Sequence, residues 1–300
     1  MTDGPLLLCV PNVSEGRDRA VLGRLAAAVE VAGARLIDLH SDVDHHRSVF
    51  TFMGAPARVE QAALALARAA VAAIDLRGHA GAHPRIGAVD VVPFVPLAGS
   101  TMADAIAAAH RVGQAFAAAT GVPVFFYEEA ARVPERRALP AVRAGGFELL
   151  AERLAGGGAE PDAGPSRPHP SAGATAVGAR RPLVAFNANL TSGDVTIARA
   201  IAAALREVSP GGLPAVRAMG MMLASRGVAQ VSVNLLDYRR TPPGRVVERV
   251  SQEAERRRVG VLEYELVGCA PADAFPDGVA SLVRGLRPAQ LLDPALFVAG

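Results

Sequence analysis

"GGGAEPDAGPSRPHPSAG", residues 156–173, holds nine glycines and prolines in eighteen positions. Neither a helix nor a central strand tolerates that density, because proline removes a backbone donor and glycine costs order. The stretch is therefore a linker or a long loop, and a loop of this length in an enzyme is expected to be either functional or disordered. Working outward from it, the same pattern appears on both sides. Before it, residues 6–10 read as a short buried strand, and Arg19–Val31 as a helix with Val21, Leu22, Leu25 and Val29 on one stripe. Residues 35–39 and 48–53 are β-rich, residues 56–74 form an alanine-rich helix opened by Pro56, and residues 88–95 are a strand. A further helix (102–119) and strand (122–127) follow. Beyond the loop come a strand (183–190), a helix (194–207), strands (215–223, 228–236), a helix (245–258) and a strand (259–267). Each side reads βαββαβ. That order predicts an α/β protein of the α+β sandwich type, with two ferredoxin-like halves, each a sheet with helices on one face. The expected domains are 1–179, including the loop, and 180–300.

Composition narrows the chemistry. The chain is 51% hydrophobic and 20% charged, with a net charge of +2, which suits a globular protein and gives no electrostatic footprint for nucleic acid. All 31 basic residues of the Lys+Arg count are arginine. Without lysine there is no Schiff-base nucleophile and no phosphate loop of the GxxxxGK type. No GxGxxG follows a strand, which disfavours a dinucleotide site. Cys9 and Cys269 lie far apart in apolar surroundings and read as two buried thiols in a reducing compartment. No uncharged apolar run approaches 18 residues, and residues 1–12 do not resemble a signal peptide. A cytoplasmic protein with no membrane partner is expected.

The strands of the second half suggest what their open face meets. In "AFNANL" Asn187 and Asn189 point together, and in "QVSVNL" Gln230, Ser232 and Asn234 share one side. Amides and hydroxyls there fit a face that binds something polar and neutral, or a plain solvent face.

"RGHAGAHPRIGAVD", residues 77–90, is the densest polar stretch. His79 and His83 have the spacing of two metal ligands on a helix, but Gly78, Gly81 and Pro84 argue against a helix, so no metal is expected. A general base is the better role for His83, since imidazole exchanges protons near neutrality. Arg85, two residues on, suits a carboxylate-bearing substrate. A loop histidine with a purely structural role is the competing reading. "DVDHHR", residues 42–47, is a second polar cluster. Asn12 and Glu15 read first as turn and cap residues.

Several blocks, in order, resemble glutamate formimidoyltransferases: "CVPNVSEGR" (9–17), "DHHRSVFTFMG" (44–54), "HAGAHPRIGAVDVVPFVP" (79–96), "GVPVFFYEEAA" (121–131), "GATAVGARRPLVAFNANL" (173–190) and "AQVSVNLLD" (229–237). The resemblance implies two subdomains whose sheets face each other across a polar substrate tunnel. It implies transfer of a formimidoyl group from N-formimidoyl-L-glutamate to N5 of tetrahydrofolate, which serves as acceptor, in histidine degradation. It places the catalytic histidine at His83 and the folate-contacting segment at Gly164, Pro165, Ser166, Arg167, Pro168, His169, Pro170, Ser171, Ala172 and Gly173. Arg167, His169, His40 and Val13 depart from the family's animal members. Combining the resemblance with the chemistry, Asp44 and Asp90 become candidates to stabilise a cationic amidine, and Arg47 and Arg85 candidates for the glutamate carboxylates. A homodimer is implied. Transfer of a formyl group from N-formyl-L-glutamate, or folate binding without turnover, are the alternatives at this point.

Overall fold

Pro11 cannot donate to a sheet ladder, and it divides the first strand into β1 (Leu7–Cys9) and β2 (Asn12–Val13). This is the start of the computed structural model, which describes residues 4–157 and 160–297. Helix α1 (Arg19–Val31) follows, its orphan amides at Ala20 and Val21 satisfied by the Asp18 carboxylate. The hairpin of β3 (Arg35–Asp42) and β4 (Arg47–Gly54), helix α2 (Pro56–Ala73) and β5 (Val89–Pro96) complete a βαββαβ run. Its strands lie antiparallel in the order β3, β4, β1/β2, β5, which is the ferredoxin-like arrangement.

The first sheet then departs from expectation. Helix α3 (Met102–Thr120), started by a Thr101–Asp104 capping box and stopped by Gly121 in the left-handed region (φ 70°), leads to β6 (Val124–Glu128). Two short helices, α4 (Leu139–Val142) and α5 (Leu150–Ala155), precede β7 (Thr175–Ala179). Strand β7 was not anticipated, because "TAVGA" is short and carries a glycine. It pairs in parallel with both β5 and β6, so the sheet is wider than a plain ferredoxin-like unit. Helices α1, α2 and α3 cover one face over a core that includes Leu25, Phe50, Phe52, Leu66, Phe94 and Phe116. Fully burying each such side chain contributes about 1.5–3 kcal/mol. Helices are not confined to that face, as the sequence suggested. The α4–α5 segment builds a second cluster with Ile86, Val91, Phe125, Tyr127, Val142 and Leu150.

Residues 160–173 belong to this unit, which runs through Arg180. They are tied to it by Val124 N–H to Ala163 O (2.9 Å), Asp162 N–H to Val124 O (2.8 Å) and Leu76 N–H to Ser171 O (2.8 Å). The second unit, Arg181–Phe297, repeats the run with β8 (Val184–Leu190), α6 (Val195–Leu205), β9 (Val216–Leu223), β10 (Val228–Leu235), α7 (Pro243–Arg256) and β11 (Val261–Val267). Its sheet order is β11, β8, β10, β9, antiparallel throughout. Phe186 stacks on Tyr264 (centroids 5.2 Å apart) at the centre of its core. Cys9 is fully buried, which pushes its thiol pKa up, whereas Cys269 is half-buried rather than buried, and the two are not disulfide-bonded. Among the described residues no helix is long and apolar enough to cross a membrane.

Candidate active site

Three segments of the first unit meet at the C-terminal end of β2: the turn 12–17, the β3–β4 hairpin tip 42–47 and the loop 79–87. Each is held by a specific bond. Ser14 donates its N–H to Ala88 O (2.9 Å) and its Oγ–H to Gly87 O (2.7 Å). Ser48 Oγ donates to Glu15 O (2.6 Å). Arg17 staples hairpin to loop, with Nε to Val43 O (2.9 Å) and Nη2 to Ala80 O (3.1 Å). The hairpin turns because the Asp42 carboxylate accepts from the N–H groups of Asp44 and His45 (2.8 and 2.7 Å) and His46 takes φ 49°. Ala82 N–H donates to Asp44 O (2.9 Å), fixing the hairpin one residue from His83.

Two histidines act as structural pins. His46 stacks on His79 (centroids 4.1 Å, interplanar 8°), and its Nε2 lies 3.2 Å from Glu15. Burial pushes the Glu15 carboxyl up, but the N–H groups of Asp18 and Arg17, together with His46, hold it below its usual range. Arg85 Nε donates to His79 Nδ1 (2.9 Å), so His79 must carry its proton on Nε2, which donates to His46 O (2.9 Å). Burial, first of all, lowers the His79 pKa and keeps the ring neutral.

His83 is different. Its Nδ1 lies 2.9 Å from Pro84 O, which can only accept, so the proton sits on Nδ1 and the Nε2 lone pair is open. Among the described residues nothing hydrogen-bonds to Nε2. Burial, then Arg47, Arg143 and His45, hold its pKa well below the usual 6.5, so the ring is neutral at physiological pH. The His45 ring lies 5.7 Å away.

The carboxylates and guanidiniums sort differently from their order in the sequence. Arg85 turns away from His83. Its Nη2 bonds Glu148 (2.9 Å) and His79 O (3.0 Å), beside a separate cavity of about 380 Å³ that His169 also lines. Arg47 and Arg143 are the cations around His83. Asp90 sits where the β2–β5 register slips by one residue, a bulge that leaves it without a ladder partner. It is 1% exposed, accepts from Ile86 N–H (2.9 Å) and is bonded by Arg143. Arg47 donates to Asn12 Oδ1, and burial, then the charge of Arg143, push its pKa down to about 10. Arg143 lies just after α4, in a stretch with no motif, and sequence reasoning missed it.

The loop returns to the same place. Ala88 N–H donates to Ala172 O (3.0 Å), Ala174 N–H to Ile86 O (2.9 Å), and His169 and Gly173 exchange both backbone bonds (2.9 Å each). Gly164 and Gly173 take φ of 86° and 68°. A Cβ on Gly87 would overlap Ala174 O, which explains the glycine after Ile86. Pro168 and Ser171 are half-buried, and Ser166, Arg167 and Pro170 are exposed.

Comparison with known proteins is decisive. Residues 6–180 match the N-terminal subdomain of the formiminotransferase domain, and residues 185–284 match the formiminotransferase domain. The chain belongs to the formiminotransferase family. It is 42% identical over 270 residues to the glutamate formimidoyltransferase of Streptococcus pyogenes serotype M1, covering 90% of each chain. It is 40% identical over 275 residues to the enzyme of that name from Thermoplasma acidophilum, covering 91% of this chain and 90% of that one. The formimidoyltransferase-cyclodeaminase of Sus scrofa is 44% identical over 281 residues, but the chain spans only 52% of its length.

In the second formiminotransferase unit the amides of β10 and β8 form a chain. Gln230 Nε2 donates to Asn189 Oδ1 (2.9 Å), and Asn189 Nδ2 donates to Glu263 (2.9 Å). Asn187 Nδ2 reaches Glu265 at only 3.5 Å. Glu263 is in turn held by Arg226 (2.6 Å) and Arg284 (2.7 Å). Among the described residues no group of three His, Cys, Asp or Glu side chains is arranged to hold a metal ion.

One substitution tests the packing of hairpin on loop. A Cβ on Gly81 would overlap the carbonyl of His45. Gly81→Ala is expected to lower kcat by about 10²-fold, the cost of an ångström-scale misplacement, while circular dichroism remains native. A variant with unchanged kcat would show that the loop does not need this contact.

Proposed function

We infer that the chain is a glutamate formimidoyltransferase, moving the formimidoyl group of N-formimidoyl-L-glutamate to N5 of tetrahydrofolate. Tetrahydrofolate is a substrate here, not a resident cofactor. The observation that carries the mechanism is the open Nε2 of a neutral His83 beside Arg47 and Arg143.

N5 of tetrahydrofolate attacks the amidine carbon and forms the new C–N bond. The nitrogen becomes an ammonium and passes its proton to His83 Nε2. The resulting imidazolium gives that proton to the glutamate nitrogen, the old C–N bond breaks, and glutamate leaves as an amine. Arg47 suits a donor carboxylate. Arg85, engaged by His79 and Glu148, holds the loop instead. Asp44 at the hairpin tip and Asp90 are the two carboxylates for the cationic amidine, Asp90 being also bonded by the Ile86 amide and Arg143. Residues 164–173 contact the folate, a reading supported by their bonds to the strand that follows His83. Asn187 and Asn189 of β8, which bond Glu265, Gln230 and Glu263, are the further amide candidates for substrate binding. The resemblance also supports a cytoplasmic homodimer without a metal.

A transfer assay with purified protein and tetrahydrofolate, offered N-formimidoyl- or N-formyl-L-glutamate, tests this. Formation of 5-formimidoyltetrahydrofolate with release of glutamate is expected. Turnover with the formyl donor alone would replace the assignment, and folate binding without turnover would remove it.

A further inference from the structure

Among the described residues, Asp90 is the single carboxylate shown bonded into a cluster that contains two guanidiniums. Arg143 takes one of its oxygens and the Ile86 amide takes the other, while Arg47 is held by a neutral amide, Asn12. The Nε atoms of Arg47 and Arg143 are both buried and have no hydrogen-bond partner among the described residues. Asp42 reaches Arg47 only through space, and its Oδ1 accepts the two amides of the hairpin turn. Counting the groups bonded into it, the cluster holds two guanidiniums and one carboxylate, with Asp42 a second anion acting at a distance, and its two buried, unpartnered Nε–H donors are costly unless an acceptor completes them. We propose that Arg143 joins Arg47 as the clamp for a carboxylate of the donor substrate, and that loading this clamp is what readies His83 to take a proton. The proposal rests on the donor being a glutamate derivative.

The electrostatics follow from position. Around His83 stand Arg47 from β4, Arg143 after α4, His45 from the hairpin tip and the Pro84 carbonyl, with Asp90 of β5 and Asp42 of β3 acting on Arg47. Burial and the two guanidiniums make a proton on His83 unwelcome in the unliganded protein. A carboxylate bridging the guanidiniums cancels their field and moves His83 toward the neutral range, where an acid–base catalyst works best. The base is thus matched to its task only when the donor is in place.

The test is an NMR titration of His83 in the full-length protein, with its resonances assigned by their loss in His83→Gln. It is run with and without saturating L-glutamate, the product that retains both carboxylates. Glutamate is expected to raise the proton affinity of His83 about tenfold or more, one pH unit. In Arg143→Gln the unliganded midpoint should already be raised and glutamate should shift it little. Arg143→Lys, which keeps the charge and guards against misfolding, should retain the low midpoint but raise KM for the donor about tenfold or more, since lysine lacks the bidentate fork. Bound glutamate that leaves the midpoint in place overturns the proposal, as does an unchanged KM in both variants. Failure of transfer with either donor would remove the functional reading instead, and the titration separates the two.

Discussion

Replacing His83 with alanine is expected to slow formimidoyl transfer by about 10²–10⁴-fold, the usual worth of a positioned general acid–base, with tetrahydrofolate affinity changed by no more than about threefold. The ring is half-buried and makes its one hydrogen bond to the adjacent Pro84 carbonyl, so removing it breaks no long-range contact. Fold and folate binding therefore persist while the proton acceptor is lost. The pH dependence has a definite sign. Protonation of Nε2 removes the base, so kcat/KM, which reads the free enzyme, falls with acid through the depressed His83 pKa, whereas transfer in the donor-loaded enzyme falls nearer the neutral range. Stability carries the same sign. Below the unfolded pKa of about 6.5 the unfolded chain takes up a proton that the folded chain refuses, so stability falls as pH drops from there to the folded value. Single-turnover kinetics with equilibrium folate binding measure both effects. A variant that retains wild-type transfer removes His83 from the mechanism.

Asp90→Ala is expected to cost about 3–5 kcal/mol of folding stability, the penalty for breaking a buried ion pair from one side. The carboxylate is 1% exposed and fills two needs, the Ile86 amide and the Arg143 guanidinium. Its loss leaves both buried groups without that partner, with Arg47 adding repulsion. Asp90→Asn should fall between wild type and alanine, because the amide oxygen still accepts from Ile86 while the charge is gone. Urea unfolding at neutral pH reads this, and a loss below about 1 kcal/mol in the alanine variant would mean that water reaches the pair as at an exposed bridge.

Much of this was legible in the residues themselves. The period of the apolar positions located both βαββαβ runs, since strands and helices with one buried face declare their repeat. His83 was a candidate by residue type and by its place before Pro84, against the competing reading of a structural loop histidine, and the family resemblance rather than spacing gave it the catalytic role. What was not legible shares a cause. Arg85 was a candidate for a substrate carboxylate beside His83, and what local sequence did not show is that, in a loop without regular periodicity, its side chain turns to His79 and Glu148. Arg143 was invisible because it lies 53 residues from Asp90 in a segment with no pattern of its own. The bulge that frees Asp90 from the ladder arises from a register shift between β2 and β5, which pairwise alignment of strands creates and local sequence does not encode. Strand β7 was missed because five apolar and small residues fit a loop or a strand equally well.

The position of β7 also bears on how the protein is made. In the sheet it lies between β5 and β6, although both are synthesised long before it. A nascent chain that has not emerged beyond Ala179 holds β6 with an empty slot beside it, and the loop that follows α5 has no strand to lead into. Parallel pairing across such separations closes slowly, because loop entropy is lost before any contact is gained. The gap is the interval in which β6 offers an open edge to other chains. The five residues of β7 thus close two strand edges at once, and only after residue 179 has been made.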